Sequence, residues 1–70
     1  MEHIKRMETE LAELEERIQK AQYFLKKELS EPKFTDEIQR MELSCQIEYM
    51  INYARILKDR ITYDTKKLNV

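Results

Sequence analysis

The sequence predicts an all-α protein in which two long helices form an antiparallel, coiled-coil-like hairpin. Three observations support this fold: an apolar heptad repeat, a scarcity of residues that interrupt helices, and a charge order that reverses along each helix. The chain has 70 residues with no glycine and one proline. Tight turns with positive φ favour glycine, so this composition is typical of long helices. We expect a single domain over residues 1–70, interrupted near Pro32.

The first helix is predicted from about residue 3 to about residue 29. Its apolar residues alternate spacings of three and four, which is the pattern of a coiled-coil seam. They are Ile4, Met7, Leu11, Leu14, Ile18, Ala21 and Leu25. The glutamates between them are expected to form a solvated face, paired with lysine and arginine, rather than a metal-binding cluster.

A loop is predicted over residues 30–35, because Pro32 lacks an amide hydrogen and disfavours helical geometry at the residue before it. Thr35 is the expected N-cap of the second helix, which should run from about residue 36 to about residue 66. So short a loop requires the helices to lie antiparallel. The acidic start of each helix then lies beside the basic end of the other, whereas a parallel pairing would bring like charges together.

The second helix carries two apolar faces and therefore needs two packing partners. The face expected to contact helix 1, here called the packing face, comprises Leu43, Ile47, Met50, Ile51, Ala54, Leu57 and Ile61. The opposite face, here called the outer stripe, comprises Ile38, Cys45, Tyr49, Ile56 and Tyr63. We expect Cys45 to be a small buried hydrophobic residue, and Met41 and Met50 to fill the core.

Self-association is the expected source of additional stability. A chain of 70 residues builds a small core, and its single cysteine cannot form an internal disulfide. The outer stripe would remain in water in a lone hairpin. We therefore predict a homo-oligomeric helical bundle assembled through helix 2, with at least two copies and four helices.

One flank of helix 2 is the candidate site for recognition. Gln46, Tyr53 and Arg60 run along it, and Tyr49 lies beside it. Aromatic faces stack on bases, guanidinium groups bind phosphate through two hydrogen bonds, and an amide can recognise a base edge. These four residues are the candidate ligand-binding set. An oligomer interface is the simpler interpretation, because interfaces are also rich in tyrosine and arginine.

A second candidate for anion contact lies on helix 1 near the predicted loop, where Tyr23 is close to Lys20 and Lys27. The net charge of −1 nevertheless argues against a non-specific nucleic-acid binder, so DNA is not an expected partner. No signal-peptide-like segment follows Met1, and no run approaches the ~18 apolar residues of a membrane span. The expected location is the cytoplasm, with no membrane partner.

Patterns that indicate catalysis are missing from the sequence. The lack of glycine excludes the phosphate-binding loop, the dinucleotide-binding fingerprint and the nucleophile elbow. The single histidine, His3, leaves no catalytic Ser/His or Cys/His pair and no Glu-x-x-His metal motif. We expect a protein that is not an enzyme and that has no catalytic residue, metal site or cofactor.

Two spaced patterns cover most of the chain. They are Leu14-x-x-Arg17-Ile18-x-x-Ala21-x-x-Phe24-Leu25 and Gln46-x-x-x-Met50-x-x-Tyr53-x-x-x-Leu57-x-x-Arg60. These patterns resemble those of small helical-hairpin proteins encoded by bacteriophages, including crAss-like phages. The chain is also similar in size and layout to the phage anti-CBASS and anti-Thoeris sponges, compact helical oligomers that sequester nucleotide immune signals without cleaving them.

The resemblance implies a viral oligomer, located in the host cytoplasm, that evades immunity by holding cyclic di- or trinucleotides between its protomers. Tyr53 and Arg60 are the positions at which the resemblance implies ligand contacts, whereas Gln46 and Tyr49 rest on their chemistry alone. The alternative is a structural or protein-binding coiled-coil module that uses the outer stripe to hold another protein.

Overall fold

The computed structural model describes residues 1–68, which form two α-helices connected by a short loop. Helix α1 spans Glu2–Ser30 and helix α2 spans Glu37–Leu68. The described residues contain no strand, and the helices pack side by side in an elongated molecule measuring 52 × 15 × 14 Å. The predicted two-helix, all-α hairpin is confirmed. Residues 69 and 70 of the predicted domain lie outside the described range.

Ion pairs between the helices agree with the antiparallel arrangement. His3 Nε2 lies 3.5 Å from Asp64 Oδ2, so the start of α1 is beside the end of α2. Lys58 Nζ lies 3.4 Å from Glu15 Oε2. These exposed pairs add little stability by themselves. The Glu15–Lys58 pair does set an acid of α1 against a base of α2, as the charge order of the sequence predicts.

The hydrophobic core is a single seam between the two helices. Its buried apolar residues are Met7, Leu14, Ile18, Ile47, Ala54 and Leu57. Leu57 is completely buried, and Leu11 and Met50 pack against the central part of the seam. Burying a large apolar side chain contributes roughly 1.5–3 kcal/mol, so these few residues supply most of the stability of the hairpin.

Three residues that the sequence led us to place in the interior are at the surface. Cys45 is exposed, Met41 is 61% exposed, and Ile51 is 43% exposed. The reason is geometric: α1 covers only one side of α2. Cys45 and Met41 lie on the far side of α2 from the seam, and Ile51 lies at the edge of the packing face.

The loop over residues 31–36 is organised by a carboxylate from the last turns of α1. Glu28 is only 3% exposed, and it accepts hydrogen bonds from the backbone amides of Lys33, Phe34 and Thr35. The Phe34 and Thr35 amides each lie 2.9 Å from Glu28 Oε1. The Thr35 hydroxyl donates a further hydrogen bond of 2.7 Å to the same oxygen. One side chain therefore satisfies the backbone donors of half the loop.

A capping box begins the second helix. Asp36 Oδ1 accepts a hydrogen bond from the amide of Gln39, and Gln39 Oε1 accepts one from the amide of Asp36, both at 2.8 Å. Asp36 is therefore the N-cap, and the prediction of Thr35 in that role is wrong. The Thr35 hydroxyl is instead bonded to Glu28, and Arg40 donates a 2.6 Å hydrogen bond to the Thr35 carbonyl oxygen.

Neither helix, within residues 1–68, has a segment long and apolar enough to cross a membrane.

Replacing Leu57 with alanine tests the position of the core. Leu57→Ala should lower the free energy of unfolding by about 2–5 kcal/mol, because it removes a fully buried side chain and leaves a cavity in the seam. Leu29→Ala is the matched control, since Leu29 is 65% exposed and its truncation should cost less than about 1 kcal/mol. Urea unfolding followed by circular dichroism measures both values. Equal losses would contradict the proposed core.

The charge of Glu28 should make the stability of the hairpin sensitive to acid. The Thr35 hydroxyl and then the Phe34 amide are the main causes that lower the pKa of Glu28 below its ordinary value of 4.5. A lowered pKa in the folded state stabilises the protein above pH 4.5, and this stabilisation is lost as the pH falls through the folded-state pKa.

Glu28→Gln should therefore lower the melting temperature by several degrees near neutral pH. It should also make the melting temperature fall less steeply as the pH is lowered. Glutamine retains one carbonyl oxygen that can accept hydrogen bonds. Its amide nitrogen cannot accept them, so it would face backbone donors without bonding to them. Glu31→Gln is the matched control, because Glu31 is exposed in the same loop. Thermal unfolding across the acid range, followed by circular dichroism, measures the effect. If the melting temperature of Glu28→Gln depends on pH as that of the wild type does, groups other than Glu28 cause the dependence.

Candidate functional site

The four predicted ligand-binding residues all lie on the exposed surface of α2. Tyr49 is 76% exposed and Tyr53 is 47% exposed, and Gln46 and Arg60 are exposed as well. Gln46, Tyr53 and Arg60 are spaced by seven residues, so they follow one line along the helix, two turns apart. In a single hairpin this line borders the seam without being covered by α1.

Tyr53 is hydrogen-bonded to a residue that comes from α1. The Tyr53 hydroxyl donates a hydrogen bond to the Glu10 carboxylate. This bond is the main cause that raises the pKa of Tyr53 above its usual value of 10.0, and burial and the negative charge of Glu10 act in the same direction. The positive charge of Arg60, two helical turns further along α2, acts in the opposite direction.

Glu10 and Tyr53, bonded across the hairpin, and Arg60, two turns further along the same line of α2, are together called the flank group here. It combines a hydrogen-bond acceptor, an aromatic face and a cation. The hydrogen bond restrains the position of the Tyr53 hydroxyl and so holds the side chain toward α1. Glu10 was not singled out from the sequence, where it is one of several glutamates on a solvated face. Antiparallel pairing of the two heptad patterns is the signal that would have placed it opposite the middle of α2.

Gln46 and Tyr49 stand apart from the flank group. None of the hydrogen bonds found within residues 1–68 involves either side chain. Tyr49 belongs instead to the outer stripe, in which Ile38, Ile56 and Tyr63 are 65%, 50% and 66% exposed. A continuous apolar stripe of this size in water is typical of an interaction surface.

A second surface feature lies at the loop end of the hairpin. The last turns of α1 and the loop line an open cleft of about 570 Å³, here called the hinge cleft. Its lining includes Tyr23, Phe24, Lys26, Lys27, Lys33 and Phe34, together with Glu28, Ser30 and Glu31. Lys27 Nζ lies 5.0 Å from the centre of the Tyr23 ring, a cation–π contact.

Lys20, which we grouped with Tyr23 and Lys27 from the sequence, does not line the hinge cleft. It forms an ion pair of 3.0 Å with Glu16, one turn earlier in α1. Within residues 1–68, no three histidine, cysteine, aspartate or glutamate side chains are placed to hold a metal ion together.

The comparison with protein families gave one match. The family described as Sequestin matches residues 1–63, a range that contains all of α1, the loop and most of α2. Every residue of the flank group and the hinge cleft falls inside it. No curated protein and no solved structure matches the chain.

Removing the charge of Glu10 tests the geometry of the flank group. Glu10→Gln should lower the pKa of Tyr53 toward its usual value of 10.0, because the hydrogen bond weakens and the negative charge disappears while Arg60 remains. Glu13→Gln is the control, since Glu13 lies on the same helix and has no hydrogen bond to Tyr53. NMR titration of protein labelled at the tyrosine ring carbons follows each phenol separately. A Tyr53 pKa unchanged by Glu10→Gln would contradict the contact.

Proposed function

Since the chain belongs to the Sequestin family, we propose that it binds and sequesters a small ligand without catalysing a reaction on it. The family name is consistent with a sequestering role. The ligand we propose is a cyclic di- or trinucleotide of the kind used as an immune signal. The protein would then act as a phage-type immune-evasion factor in the host cytoplasm.

The observation that carries this proposal is the flank group. Tyr53 presents a half-exposed aromatic face, and the neighbouring Arg60 supplies a guanidinium group. A base can stack on the ring, and a phosphate can bind the guanidinium through two hydrogen bonds. The two groups lie two helical turns apart, which is a spacing of about 10 Å along the helix. A ligand with a base and a phosphate at that separation contacts both.

Glu10 determines how a charged ligand can be oriented. Its carboxylate repels phosphate, so the phosphate must lie on the Arg60 side of the ring and away from the Tyr53 hydroxyl. The carboxylate can accept hydrogen bonds from a ribose hydroxyl or a base amino group. Nucleotides carry both donors and phosphate, and they match this arrangement better than a simple anion does.

The outer stripe supplies the other half of the proposed site. We propose that two copies pack α2 against α2 through this stripe, since burial of each large side chain contributes roughly 1.5–3 kcal/mol. A symmetric interface would repeat the flank group at each boundary between subunits. Tyr49, on the stripe, and Gln46, on the flank, would then line a pocket that one protomer alone leaves open.

Substitution of Arg60 tests the ligand proposal. Isothermal titration of the wild-type protein with a panel of cyclic di- and trinucleotides should show binding, and Arg60→Gln should weaken it by about tenfold or more, because a charge-assisted contact to phosphate is lost. Arg55→Gln is the matched control. Arg55 is exposed on another side of α2 and pairs with Asp59 at 3.9 Å. A folded oligomer that gives no heat with any member of the panel would overturn the proposal.

The second candidate function is a structural or protein-binding module. The outer stripe favours it, because the same exposed tyrosine and isoleucine side chains can hold a different protein as well as a second copy. Size-exclusion chromatography with light scattering separates the two functions. A stable monomer at micromolar concentration favours a different protein partner, whereas a closed oligomer favours the sequestering function.

A further inference from the structure

The residues that line the hinge cleft take no part in the flank group, so the function proposed for that group does not account for them. It lies at the opposite end of the hairpin from Arg60, and α1 and the loop build it without any contribution from the outer stripe. Three aromatic rings and three lysines line it. A site here would therefore be complete in one protomer, whatever assembly the protein forms.

The rings of the hinge cleft are more exposed than a structural role requires. Phe34 is 78% exposed, Tyr23 is 64% exposed and Phe24 is 40% exposed. The backbone amide of Phe34 is bonded to Glu28, so the backbone that carries this exposed ring is fixed near the end of α1. Exposed aromatic faces held in position are stacking platforms for flat, unsaturated ring systems.

The lysines of the hinge cleft have no carboxylate partners. Within residues 1–68, none of Lys26, Lys27 and Lys33 forms an ion pair, whereas Lys20 and Lys58 do. The Lys27 ammonium instead lies over the Tyr23 ring, and this contact positions the charge beside an aromatic face. The amide of Lys33 is bonded to Glu28, so its Cα position is fixed as well.

The two acids of the hinge cleft do not cancel this positive charge. The carboxylate of Glu28 is engaged by three backbone amides and one hydroxyl, and it points into the loop rather than into solvent. Glu31 is the one exposed acid among the lining residues, against three lysines. The negative end of the α1 dipole and the positive end of the α2 dipole meet here and offset each other.

We infer that the hinge cleft binds a nucleotide, with the base stacked on Phe34 or Tyr23 and the phosphates held by Lys27 and Lys33. The volume of about 570 Å³ lies within the usual range for small-molecule sites and suits one mononucleotide rather than a polymer. This site is separate from the flank group, and it does not depend on the ligand proposed there or on an interface between copies.

The probe for the first experiment is ADP, titrated into ¹⁵N-labelled full-length protein and followed by amide chemical shifts. ADP should shift the amides of residues 23–34. The double substitution Lys27→Gln with Lys33→Gln should weaken its affinity by roughly fivefold to tenfold, because two charged phosphate contacts are lost. Lys20→Gln is the matched control, since Lys20 is paired with Glu16 outside the cleft and its loss should leave the affinity unchanged.

Phe34→Leu tests the stacking contact, because it removes the ring and retains the backbone amide that Glu28 holds. It should weaken ADP binding while leaving the binding of inorganic pyrophosphate unchanged. Circular dichroism verifies that each variant keeps its helical content. Pyrophosphate that binds wild-type protein as tightly as ADP, together with no effect of Phe34→Leu, would overturn the nucleotide assignment.

The same titration separates this inference from the proposed function. Shifts that appear only around Tyr53 and Arg60, or no shifts at all with ADP, would overturn the hinge site even if cyclic nucleotides bind the oligomer. Conversely, ADP shifts at residues 23–34 that persist in Arg60→Gln would support the hinge site even if the cyclic nucleotides fail to bind.

Discussion

The hydrogen bonds of Glu28 are the constraint on which the rest of the hairpin depends. The six-residue loop between the helices contains no helix or strand, and the amides of Lys33, Phe34 and Thr35 bond to the Glu28 side chain rather than to a backbone carbonyl. Glu28 accepts from these three amides and from the Thr35 hydroxyl, which fixes the end of α1 to the start of α2. The contact between Glu10 and Tyr53, 43 residues apart in sequence, follows from the register set at this point.

A two-helix hairpin can cover only one side of each helix, and this limit determines what α2 presents to solvent. Leu57 and its neighbours fill the seam, so the outer stripe remains exposed within the described residues 1–68. The outer stripe is apolar although it is exposed to solvent. Tyr49 and Tyr63 in this stripe combine an apolar ring with a hydroxyl that can bond to water. The same geometry therefore gives the chain a stable core and a surface suited to binding.

The sequence predicted the features that depend on local periodicity and missed those that depend on contacts between segments. The heptad pattern identified Met7, Leu14 and Ile18 as core residues, because a helix repeats its faces at a fixed angle. The role of Glu28 was not visible, since it depends on how the loop folds back over the last turn of α1. Cys45 was expected to be buried as a small hydrophobic residue, whereas it lies on the outer stripe, which α1 does not cover. Glu10 was missed for a related reason, because only the register of the hairpin brings it to Tyr53.

The distribution of charge is compatible with the anion sites proposed above in a chain whose net charge is −1. Antiparallel pairing places an acid beside a base across the seam, as Glu15 and Lys58 show. The lysines of the hinge cleft lie at the end of the hairpin, where the opposite helix has no acid facing them at ion-pair distance within the described residues. Anion affinity is set by these local groups rather than by the net charge, because exposed charges beyond about 8–10 Å are screened by physiological salt. The site proposed at the flank group, where the Glu10 carboxylate is bonded to Tyr53, should then select ligands that also donate hydrogen bonds. The site proposed in the hinge cleft should respond chiefly to phosphate and an aromatic ring.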